Sequence, residues 1–489
     1  MRIPLDPETG EPLYQQIQAY LRQSILSGSL LPGTRLPASR QLAHELGVSR
    51  ITVENAYAEL EAAGLVTRRL GSGTYVLPPW PAPPRSEEGR GAPWPSWQRA
   101  LTGGEEAREP VAPEEMLRAC GHPDPISFAG GSGDPRLYPV EDLRRTIRSV
   151  LRRDGIAALG YGDPSGYAPL RQTIASVLAS QGLEARPENI LITSGAQQGL
   201  ALVSQILLRP GDTIVVESPT YARALELFRA LGLRLVGVPI DEDGMQVDHL
   251  EELLQQHHPR LIYTIPNFHN PTGTCLSGHR RRQLVALADR YNVPILEDDF
   301  AGDLRYEGSA LPALKALDPG GRVIYVSTFS KMLMPGLRVG FVVAEGPVGR
   351  SLVSFKRAYD LSTSALIQRV VEEYVTVGRY QAHLRRSRRI YRQRRDAMMQ
   401  AIGRCLPAVM AIRPPQGGFF IWLRLPGELS AERLLLLACR EGVAFTPGRG
   451  FFPTGDGGEN YLRLNFAAQE PSEIGEGIRR LAAALKVAD

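Results

Sequence analysis

The stretch STFSKMLMPGLRVG, residues 327–340, places two basic side chains where a simple structural role does not explain them. Lys331 stands among small hydroxyl residues, and Arg338 follows after the break that Pro335 and Gly336 impose on any helix. The apolar run RVIYV just before this stretch is typical of a buried strand. The sequence therefore predicts an amine and a guanidinium on a loop that leaves the end of a strand.

Short apolar runs alternate with helical stretches from about residue 125 onward. They are NILITSG, DTIVVES, LRLVGVPI, LIYTIP and PILEDDF, followed by RVIYVSTFSK. This alternation predicts an α/β fold with a mainly parallel sheet and helices on both faces. In such sheets the residues directly after the strands gather at one edge, where ligands bind. Those residues are Ser194, Gly195, Ala196, Tyr221, Asn270, Asp298 and Lys331.

Each of these residues has an ordinary structural explanation when it is taken alone. Asp298 could cap a helix, Asn270 before a proline could open a turn, and Lys331 could be a solvated loop lysine. Together they offer an amine that can bond to an aldehyde, an acid for a pyridine nitrogen, and an arginine with a glycine-containing turn for a phosphate. The combination predicts a site for a phosphorylated pyridine cofactor.

Length and composition limit the class of protein. The 489 residues exceed one ordinary core, so two or more domains are expected. The hydrophobic content is 43% and the mean hydropathy is −0.17, with no apolar run long enough to cross a bilayer. The start of the chain lacks a secretory signal, and the four cysteines lack metal-ligand spacing. We therefore expect a cytoplasmic protein with no membrane span and no metal site.

Residues 13–26 place apolar side chains at helical spacing, and two further helices follow. The stretch PASRQLAHELG predicts a short helix that Ser39 caps and Gly47 ends. The stretch VSRITVENAYAELEAAG predicts a helix that Ser49 caps and Gly64 ends. A glycine-containing turn between two helices is typical of a helix-turn-helix, and LVTRRLGSGTYV after it predicts a two-stranded wing.

The charge of residues 1–77 does not by itself indicate a nucleic-acid partner, because seven arginines are balanced by seven acids. A small helical interaction domain is therefore the alternative. The arginines stand at helix starts and on the wing, with most acids elsewhere, which favours contacts with phosphates. The first turns of the third helix would enter a major groove. The predicted DNA-binding residues are Arg35, Ser39, Arg40, Ser49, Arg50, Thr52, Asn55, Arg68, Arg69 and Gly73.

Proline, glycine and charge replace any apolar period from residue 78 to about residue 113, which predicts a linker. Its tryptophans Trp80, Trp94 and Trp97 favour docking of part of the linker on a neighbouring surface over a role as a proline-rich ligand. The predicted division is a DNA-binding domain at 1–77, a linker at 78–123 and a large domain at 124–489.

Two regions resemble known families. The stretch from Pro12 to Val76 resembles the GntR-type winged helix-turn-helix, most specifically in GTRLPASRQLAHELGVSR. Residues 124–479 resemble the fold-type I pyridoxal-phosphate aminotransferases, which implies a large domain with a mainly parallel sheet and a smaller C-terminal α/β subdomain. The matching motifs are SGAQQGL (Ser194, Gly195 and Ala196 for the cofactor phosphate), ESPTY (Tyr221 near the ring), PNFHNPTG (Asn270 for the ring hydroxyl), EDDF (Asp298 for the ring nitrogen) and STFSK (Lys331 for the covalent bond).

The same resemblance implies further roles. Arg338 would bind the cofactor phosphate and Arg463 in YLRLNF a substrate carboxylate, while Tyr161 in YGDPSGY would reach the phosphate of the neighbouring subunit. Arg223 stands where a second anion-binding arginine is expected, although it could equally be a solvated helix residue. Phe300 departs from the pattern, because the family usually has a tyrosine there, and this puts ordinary transaminase electronics in doubt.

A winged helix-turn-helix joined to an aminotransferase-like domain resembles the MocR or GabR type of bacterial transcriptional regulator. The resemblance implies that pyridoxal 5'-phosphate serves as a receptor for a small amino effector, that DNA is the partner, and that the chain forms a head-to-tail homodimer. Two alternatives stay open: a working aminotransferase with an accessory DNA-binding domain, and a repressor whose large domain is empty.

Overall fold

The computed structural model describes residues 3–6, 10–69, 72–77, 112–331, 333–406 and 413–488. The chain divides into two compact units, Met1–Glu109 and Pro110–Asp489, and each is described by itself. Most of the predicted linker, with its three tryptophans, lies outside the described residues, as does Gly71 of the wing.

The first unit is a small helical core followed by a two-stranded hairpin. Its core residues lie at helical spacing on the inner faces, as Ile17 and Leu21 do on the first helix and Val53 and Leu60 on the third. The elements are α1 (Leu13–Leu26), α2 (Ser39–Leu46), α3 (Arg50–Ala62), and the antiparallel strands β1 (Val66–Arg69) and β2 (Gly73–Val76). The predicted helix-turn-helix with its wing is confirmed.

The turn between α2 and α3 depends on two residues. Gly47 takes a left-handed conformation, φ +66°, which only glycine adopts without cost, and so ends α2. Ser49 accepts a hydrogen bond from the amide of Thr52 at 3.1 Å and caps α3 as predicted. The prediction that Ser39 caps α2 is wrong. The N-cap position is Ala38, and Ser39 is already the first residue of the helix. The hydroxyl of Ser39 donates to Oε1 of Glu54 on α3 at 3.3 Å.

A mainly parallel eight-stranded sheet organises the second unit. Alternate residues of its strands enter different cores: Ile214 and Val216 belong to one hydrophobic cluster and Val215 to another, so both faces of the sheet are buried. The strands are β4 (Ile190–Thr193), β5 (Thr213–Ser218), β6 (Arg234–Asp241), β7 (Gly244–Met245), β8 (Leu261–Thr264), β9 (Ile295–Asp299), β10 (Val323–Thr328) and β11 (Gly340–Val343).

The order of these strands is β4-β11-β10-β9-β8-β5-β6-β7. Strands β6, β5, β8, β9 and β10 pair parallel with one another, whereas β7 is antiparallel to β6 and β11 is antiparallel to both β10 and β4. Strand β4 therefore runs in the same direction as β10. All strands that precede a predicted site residue consequently end at the same edge of the sheet.

Helices cover the sheet and carry the chain between its strands. In chain order they are α4 (Pro113–Ala119), α5 (Val140–Asp154), α6 (Ala168–Ser180), α7 (Ala196–Leu207), α8 (Ala222–Ala230), α9 (Val247–His257), α10 (Gly278–Tyr291), α11 (Gly346–Asp360), α12 (Ala365–Thr376), α13 (Arg379–Cys405), α14 (Ala431–Arg440) and α15 (Pro471–Ala488).

A smaller subdomain forms around the C-terminal part of the chain, as predicted. Strands β12 (Phe420–Arg424), β14 (Thr446–Pro447) and β15 (Tyr461–Asn465) make a three-stranded antiparallel sheet. A second pair joins β13 (Val443–Ala444) to β3 (Ile126–Ser127), which comes from the start of the unit. Helices α14 and α15 pack beside these strands, and α13 packs against α15.

The predicted linker requires a correction at its C-terminal end. Residues 113–119 form α4, and Leu117 on this helix is buried in the main core. Burial of an apolar side chain offsets the entropic cost of ordering this segment, which composition alone did not reveal. Within the part of the chain that is described, no helix has the length and apolar character needed to cross a membrane.

Candidate functional site

The predicted site residues follow strands whose carboxyl ends share one edge of the sheet. Asp298 lies within β9, Lys331 follows β10, and Asn270 follows β8. Ser194 comes directly after β4, and Tyr221 closely follows β5. The parallel pairing therefore gathers residues that are far apart in sequence, as the sequence predicted.

Lys331 is the amine of this cluster. Its Nζ donates to the backbone oxygen of Gly131 at 2.8 Å. Burial, together with the positive charges of Arg463 and Arg338 and against an opposing effect of Asp298, lowers the pKa of Lys331 to about 8. A substantial fraction of the amine is therefore neutral, and hence nucleophilic, in slightly alkaline solution.

Asp298 is a fully buried carboxylate with one partner. The hydroxyl of Tyr263 donates to its Oδ2 at 2.9 Å, while Oδ1 is buried without a hydrogen-bond partner in the described structure. Burial, with a smaller contribution from the charge of Asp299, raises the pKa of Asp298 to about 7 although the hydrogen bond from Tyr263 lowers it. An orphaned buried carboxylate oxygen is costly, so Oδ1 fits a protonated nitrogen supplied by a ligand.

The turn between β4 and α7 fits a phosphate. Gly195 has φ +95°, and a Cβ placed on it would lie 2.8 Å from NH2 of Arg338. Arg338 donates to the backbone oxygen of Ser194 at 2.9 Å, which holds its guanidinium beside the N-terminus of α7. One of the three predicted amides is already engaged within the protein. The amide of Ser194 already donates to Oε1 of Gln198 at 2.7 Å, so Gly195 and Ala196 supply the available amides.

Arg463 is a buried guanidinium held from several directions. It donates to Oδ1 of Asn270 and to the backbone oxygen of Ala129, each at 2.9 Å, and lies 4.2 Å and 5.1 Å from the ring centres of Phe420 and Phe451. Its Nε has no hydrogen-bond partner among the described residues, and burial lowers its pKa to about 10. A fixed buried cation with an unused donor fits a carboxylate.

The remaining predicted site residues, Tyr221, Tyr161 and Arg223, differ in the solvent exposure of their side chains. Tyr221 is partly buried, and burial together with the charge of Asp298 raises its pKa to about 12. Tyr161 is 88% exposed, so its side chain is not buried within one subunit. Arg223 has a 70% exposed side chain that donates to Glu226 at 2.6 Å on the same helix. Its position favours the solvated-helix interpretation, and the anion-binding role stays a prediction.

Sequence reasoning missed several participants. Gly131 supplies the oxygen that Lys331 contacts, and the glycine pair in AGGSG was the available signal. Gln198 supports the phosphate turn and in turn donates to Asp360 at 2.7 Å. The hydroxyl of Tyr263 donates to Asp298. These contacts depend on packing rather than on local motifs.

Phe300 is buried next to a small cavity of about 30 Å³, which its ring lines together with Asp303 and Tyr380. This volume has room for about two water molecules.

The DNA-facing predictions fall on exposed or half-exposed side chains of the first unit. Asn55 is exposed and Thr52 half-buried near the start of α3, while Arg35 and Arg40 are exposed. A Cβ on Gly73 would lie 2.8 Å from Nε of Arg35, so the wing and this arginine are in close contact.

The expectation that most acids lie away from the predicted phosphate contacts has two exceptions. Arg50 pairs with Glu54 at 2.7 Å, and Arg68 pairs with Glu61 at 3.2 Å. Helical spacing produces the first pair, because residues four apart share a face. Arg69 instead lies over the ring of Tyr75 at 5.0 Å.

Comparisons with known proteins match both units. Residues 13–76 match the family of bacterial regulatory proteins, gntR family, and residues 131–481 match aminotransferase class I and II. The HTH-type transcriptional regulator TauR of Rhodobacter capsulatus is 33% identical over 97% of this chain and 96% of its own length. The probable rhizopine catabolism regulatory protein MocR of Rhizobium meliloti is 32% identical over 98% of this chain and 95% of its own.

The chain belongs to the MocR-type regulators. A solved structure is similar to the second unit of this MocR-type chain: LysN, an alpha-aminoadipate aminotransferase from Thermus thermophilus, complexed with N-(5'-phosphopyridoxyl)-L-leucine. Its sequence is 39% identical to this chain, and the TM-score of the two structures is 0.73. The match covers 81% of this chain and 99% of the chain of LysN. This chain is therefore similar to regulators over nearly its full length and to an aminotransferase over most of it.

Proposed function

We propose that this chain is a transcriptional regulator that binds DNA through residues 1–77 and uses pyridoxal phosphate in its second unit to sense an amino acid. One observation carries the proposal: regulators match 97% and 98% of the chain, and the same chain keeps a buried lysine site. A regulator that did not need the cofactor would have no use for a buried amine beside an orphaned carboxylate.

The cofactor side of the proposal rests on chemical fit. Asp298 would meet the ring nitrogen, Gly195, Ala196 and Arg338 the phosphate, and Lys331 the aldehyde carbon. Bound there, pyridoxal phosphate supplies an aldehyde that bonds to Lys331 and can exchange that bond for one to an incoming amine. Arg463, with its buried and unused Nε, would hold the carboxylate of that amine.

The DNA side rests on the exposed start of α3 and on the arginines around it. Asn55 would read base edges, while Arg35, Arg40, Arg50, Arg68 and Arg69 would contact phosphates. Association of two such chains would present two winged domains, so the operator should contain two half-sites. With a DNA partner, the place of action is the cytoplasm.

A homodimer is supported by an apolar surface of the second unit around Tyr161. Ile156 is 89% exposed, Leu159 is 68% exposed and Leu361 is 55% exposed. The amide of Gly162 donates to Ser362 at 3.4 Å, so these two segments are neighbours. Clustered exposed apolar side chains favour an interface, and a second copy would bring Tyr161 to its neighbour's phosphate in a head-to-tail arrangement.

A working aminotransferase is the second candidate. It is favoured by the complete set of Lys331, Asp298, Asn270 and Arg463 and by the 39% identity with an aminotransferase. A third, a repressor with an empty second unit, is weakened by the same residues. Turnover separates the first two, and a visible absorption band separates both from the third.

The deciding experiment is footprinting on the DNA beside the chain's own gene, with and without single amino acids, on protein loaded with pyridoxal phosphate. We expect two protected half-sites and a change of affinity with one class of amino acid. The same samples are assayed for conversion of that amino acid with a 2-oxo acid. Fast turnover with no DNA site would refute the proposal in favour of the aminotransferase.

A further inference from the structure

A buried ion pair is connected to the phosphate turn by hydrogen bonds. Lys356 on α11 is fully buried, and its Nζ donates to Oδ1 of Asp360, one helical turn later, at 2.7 Å. The other oxygen of this carboxylate accepts from Nε2 of Gln198 on α7 at 2.7 Å. Oε1 of Gln198 in turn accepts from the amide of Ser194 at 2.7 Å. Three hydrogen bonds therefore join a buried cation to the first residue of the turn that is expected to hold the cofactor phosphate.

The carboxylate of Asp360 determines which way the amide of Gln198 points. A glutamine side chain ends in a donor and an acceptor of similar size, so its shape alone does not fix their positions. An ionised carboxylate accepts hydrogen bonds only, so Asp360 takes the NH2 group and leaves the oxygen for Ser194. Lys356 balances the charge of Asp360, whose side chain is only 23% exposed. Burial of this carboxylate without a cation would be costly.

The chain turns sharply directly after Asp360. Leu361 has φ +63° and ψ −63°, and the amide of Ser362 donates to the backbone oxygen of Asp360 at 2.7 Å. This three-residue turn is rare and strained for a residue with a side chain. Leu361 is 55% exposed, so burial of its side chain does not offset the strain. A conformation that is kept at a cost in free energy points to a functional reason for the position of Asp360.

We infer that Asp360, paired with Lys356, is a positioning residue for the cofactor phosphate. It fixes the orientation of the amide of Gln198 and, through it, the peptide group of Ser194 at the start of the phosphate turn. The inference rests on the proposed function, because it takes this turn as the site of the phosphate.

The turn is held from two sides before a ligand binds. Gln198 accepts from the amide of Ser194, and Arg338 donates to the backbone oxygen of the same residue. The amides of Gly195 and Ala196 follow directly, so they need not be reordered when a phosphate binds. Donors that are already in place contribute more to affinity, because less conformational entropy is lost on binding.

Two simpler explanations make different predictions. If the cluster only joins α11 to α7, which pack against each other, its loss would weaken binding of pyridoxal phosphate and of pyridoxal by the same factor. Pyridoxal has the same ring and aldehyde but no phosphate. If Asp360 acts on the phosphate by its charge alone, its removal would strengthen binding of pyridoxal phosphate, because like charges repel.

The dissociation constants of both ligands, measured on cofactor-free protein from the visible absorption band, separate these explanations. Asp360→Asn should weaken pyridoxal phosphate by about tenfold, in the range of one hydrogen bond, and leave pyridoxal within about twofold. The reason is that asparagine can also donate, which allows the amide of Gln198 to turn round. Gln198→Met removes both hydrogen bonds, keeps the ion pair with Lys356 and should have the same effect.

A double variant tests the orientation directly. Gln198→Glu places two carboxylates together, and adding Asp360→Asn supplies the new carboxylate with an NH2 group while its other oxygen accepts from Ser194. Asp360→Asn should therefore weaken binding of pyridoxal phosphate in the unmodified protein and strengthen it in the Gln198→Glu protein. Any repulsion between the new carboxylate and the phosphate is present in both Gln198→Glu proteins and cancels. Gln400→Met, at an exposed position on α13, is the control and should change nothing.

Equal weakening of both ligands would overturn the inference in favour of a structural cluster. Tighter binding of pyridoxal phosphate to Asp360→Asn would overturn it in favour of a charge effect. A preference for pyridoxal phosphate that neither Asp360→Asn nor Gln198→Met changes would refute the inference and leave the assigned phosphate turn in place. Equal affinity of the unmodified protein for the two ligands would refute both.

Discussion

Arg463 donates to Oδ1 of Asn270 at 2.9 Å, across 193 residues of sequence. The contact joins the residue expected to hold the effector carboxylate to the residue expected to contact the cofactor ring. A ligand that draws the guanidinium toward itself must therefore loosen or reorient this amide. We therefore expect binding of the effector and the state of the cofactor to be coupled through this hydrogen bond.

The two arginines predicted to hold the effector should differ in importance. Arg463→Gln should abolish the spectral change that the effector causes, because it removes the buried cation. Arg223→Gln should leave the half-saturating concentration within about twofold, because an exposed pair of the kind Arg223 forms with Glu226 contributes little. Titration of both variants with the effector checks this. A loss of tenfold or more in Arg223→Gln would restore its predicted role.

The depressed pKa of Lys331 predicts how attachment of the cofactor depends on pH. Only the neutral amine attacks an aldehyde, and its pKa is about 8. The rate of incorporation into cofactor-free protein should therefore rise about tenfold per pH unit up to about pH 8 and level off above it. Stopped-flow absorbance measures this rate, with Lys331→Ala as the variant that lacks the Schiff-base band.

Removal of the neighbouring positive charge should shift that profile. Arg463 lowers the pKa of Lys331, so Arg463→Gln should move the midpoint to higher pH. A midpoint that stays in place would show that Arg463 does not contribute to the basicity of the lysine.

Gly195→Ala should weaken retention of the cofactor by about tenfold or more, the loss expected for a charge-assisted contact. The new Cβ would lie 2.8 Å from Arg338, on a backbone with φ +95° that side chains rarely adopt. The dissociation constant of pyridoxal phosphate measures the effect. Gly475→Ala on α15, where nothing lies within 4 Å of the added methyl, is the matched control and should bind normally. Equal affinities would contradict the assigned phosphate turn.

Asp298 should make the cofactor-free protein less stable as pH rises from about 4 to 7. Its folded pKa of about 7 lies above the ordinary value of 3.8, so in this range the folded state holds the proton more tightly than the unfolded one. The contribution to the free energy of unfolding then falls by up to about 1.4 kcal/mol per pH unit and is constant above pH 7.

Asp298→Asn isolates this contribution. The difference in free energy of unfolding between the variant and the unmodified protein, measured by urea denaturation without cofactor, should grow in favour of the variant from pH 4 to 7. A difference independent of pH would mean that Asp298 titrates normally.

The salt bridge between Arg50 and Glu54 should lower the affinity for DNA. Glu54→Gln releases the guanidinium for a phosphate, so affinity should rise and the slope of log K against log salt should steepen by up to about 0.9. Glu59→Gln removes an equal charge from an exposed position on the same helix and serves as the control. Arg50→Ala should weaken binding to all sequences, whereas Asn55→Ala should chiefly relax the sequence preference.

If Glu54→Gln and Glu59→Gln raise the affinity equally, the gain comes from net charge and not from the released arginine. Gel-shift titrations at several salt concentrations distinguish these outcomes.

The local sequence determined the elements and their order. Gly47 and Ser49 set the turn of the helix-turn-helix because a left-handed backbone and an N-cap are properties of single residues. The strands before Asp298 and Lys331 could be predicted from apolar runs, and the shared edge of a parallel sheet brought the two residues together.

Only the tertiary structure decided which partners these residues have. The sequence alone could not show that Ser39 does not cap α2, because the partner of its hydroxyl lies on another helix. It also could not show α4 inside a proline-rich region, because this helix depends on the burial of Leu117 in the main core. The sequence also could not predict three hydrogen bonds of the site. They join Tyr263 to Asp298, the amide of Ser194 to Gln198, and Arg463 to Asn270. Propensities and motifs act over a few residues, whereas burial and hydrogen bonding in the site join segments hundreds of residues apart, and their energies are fixed only when the chain has folded.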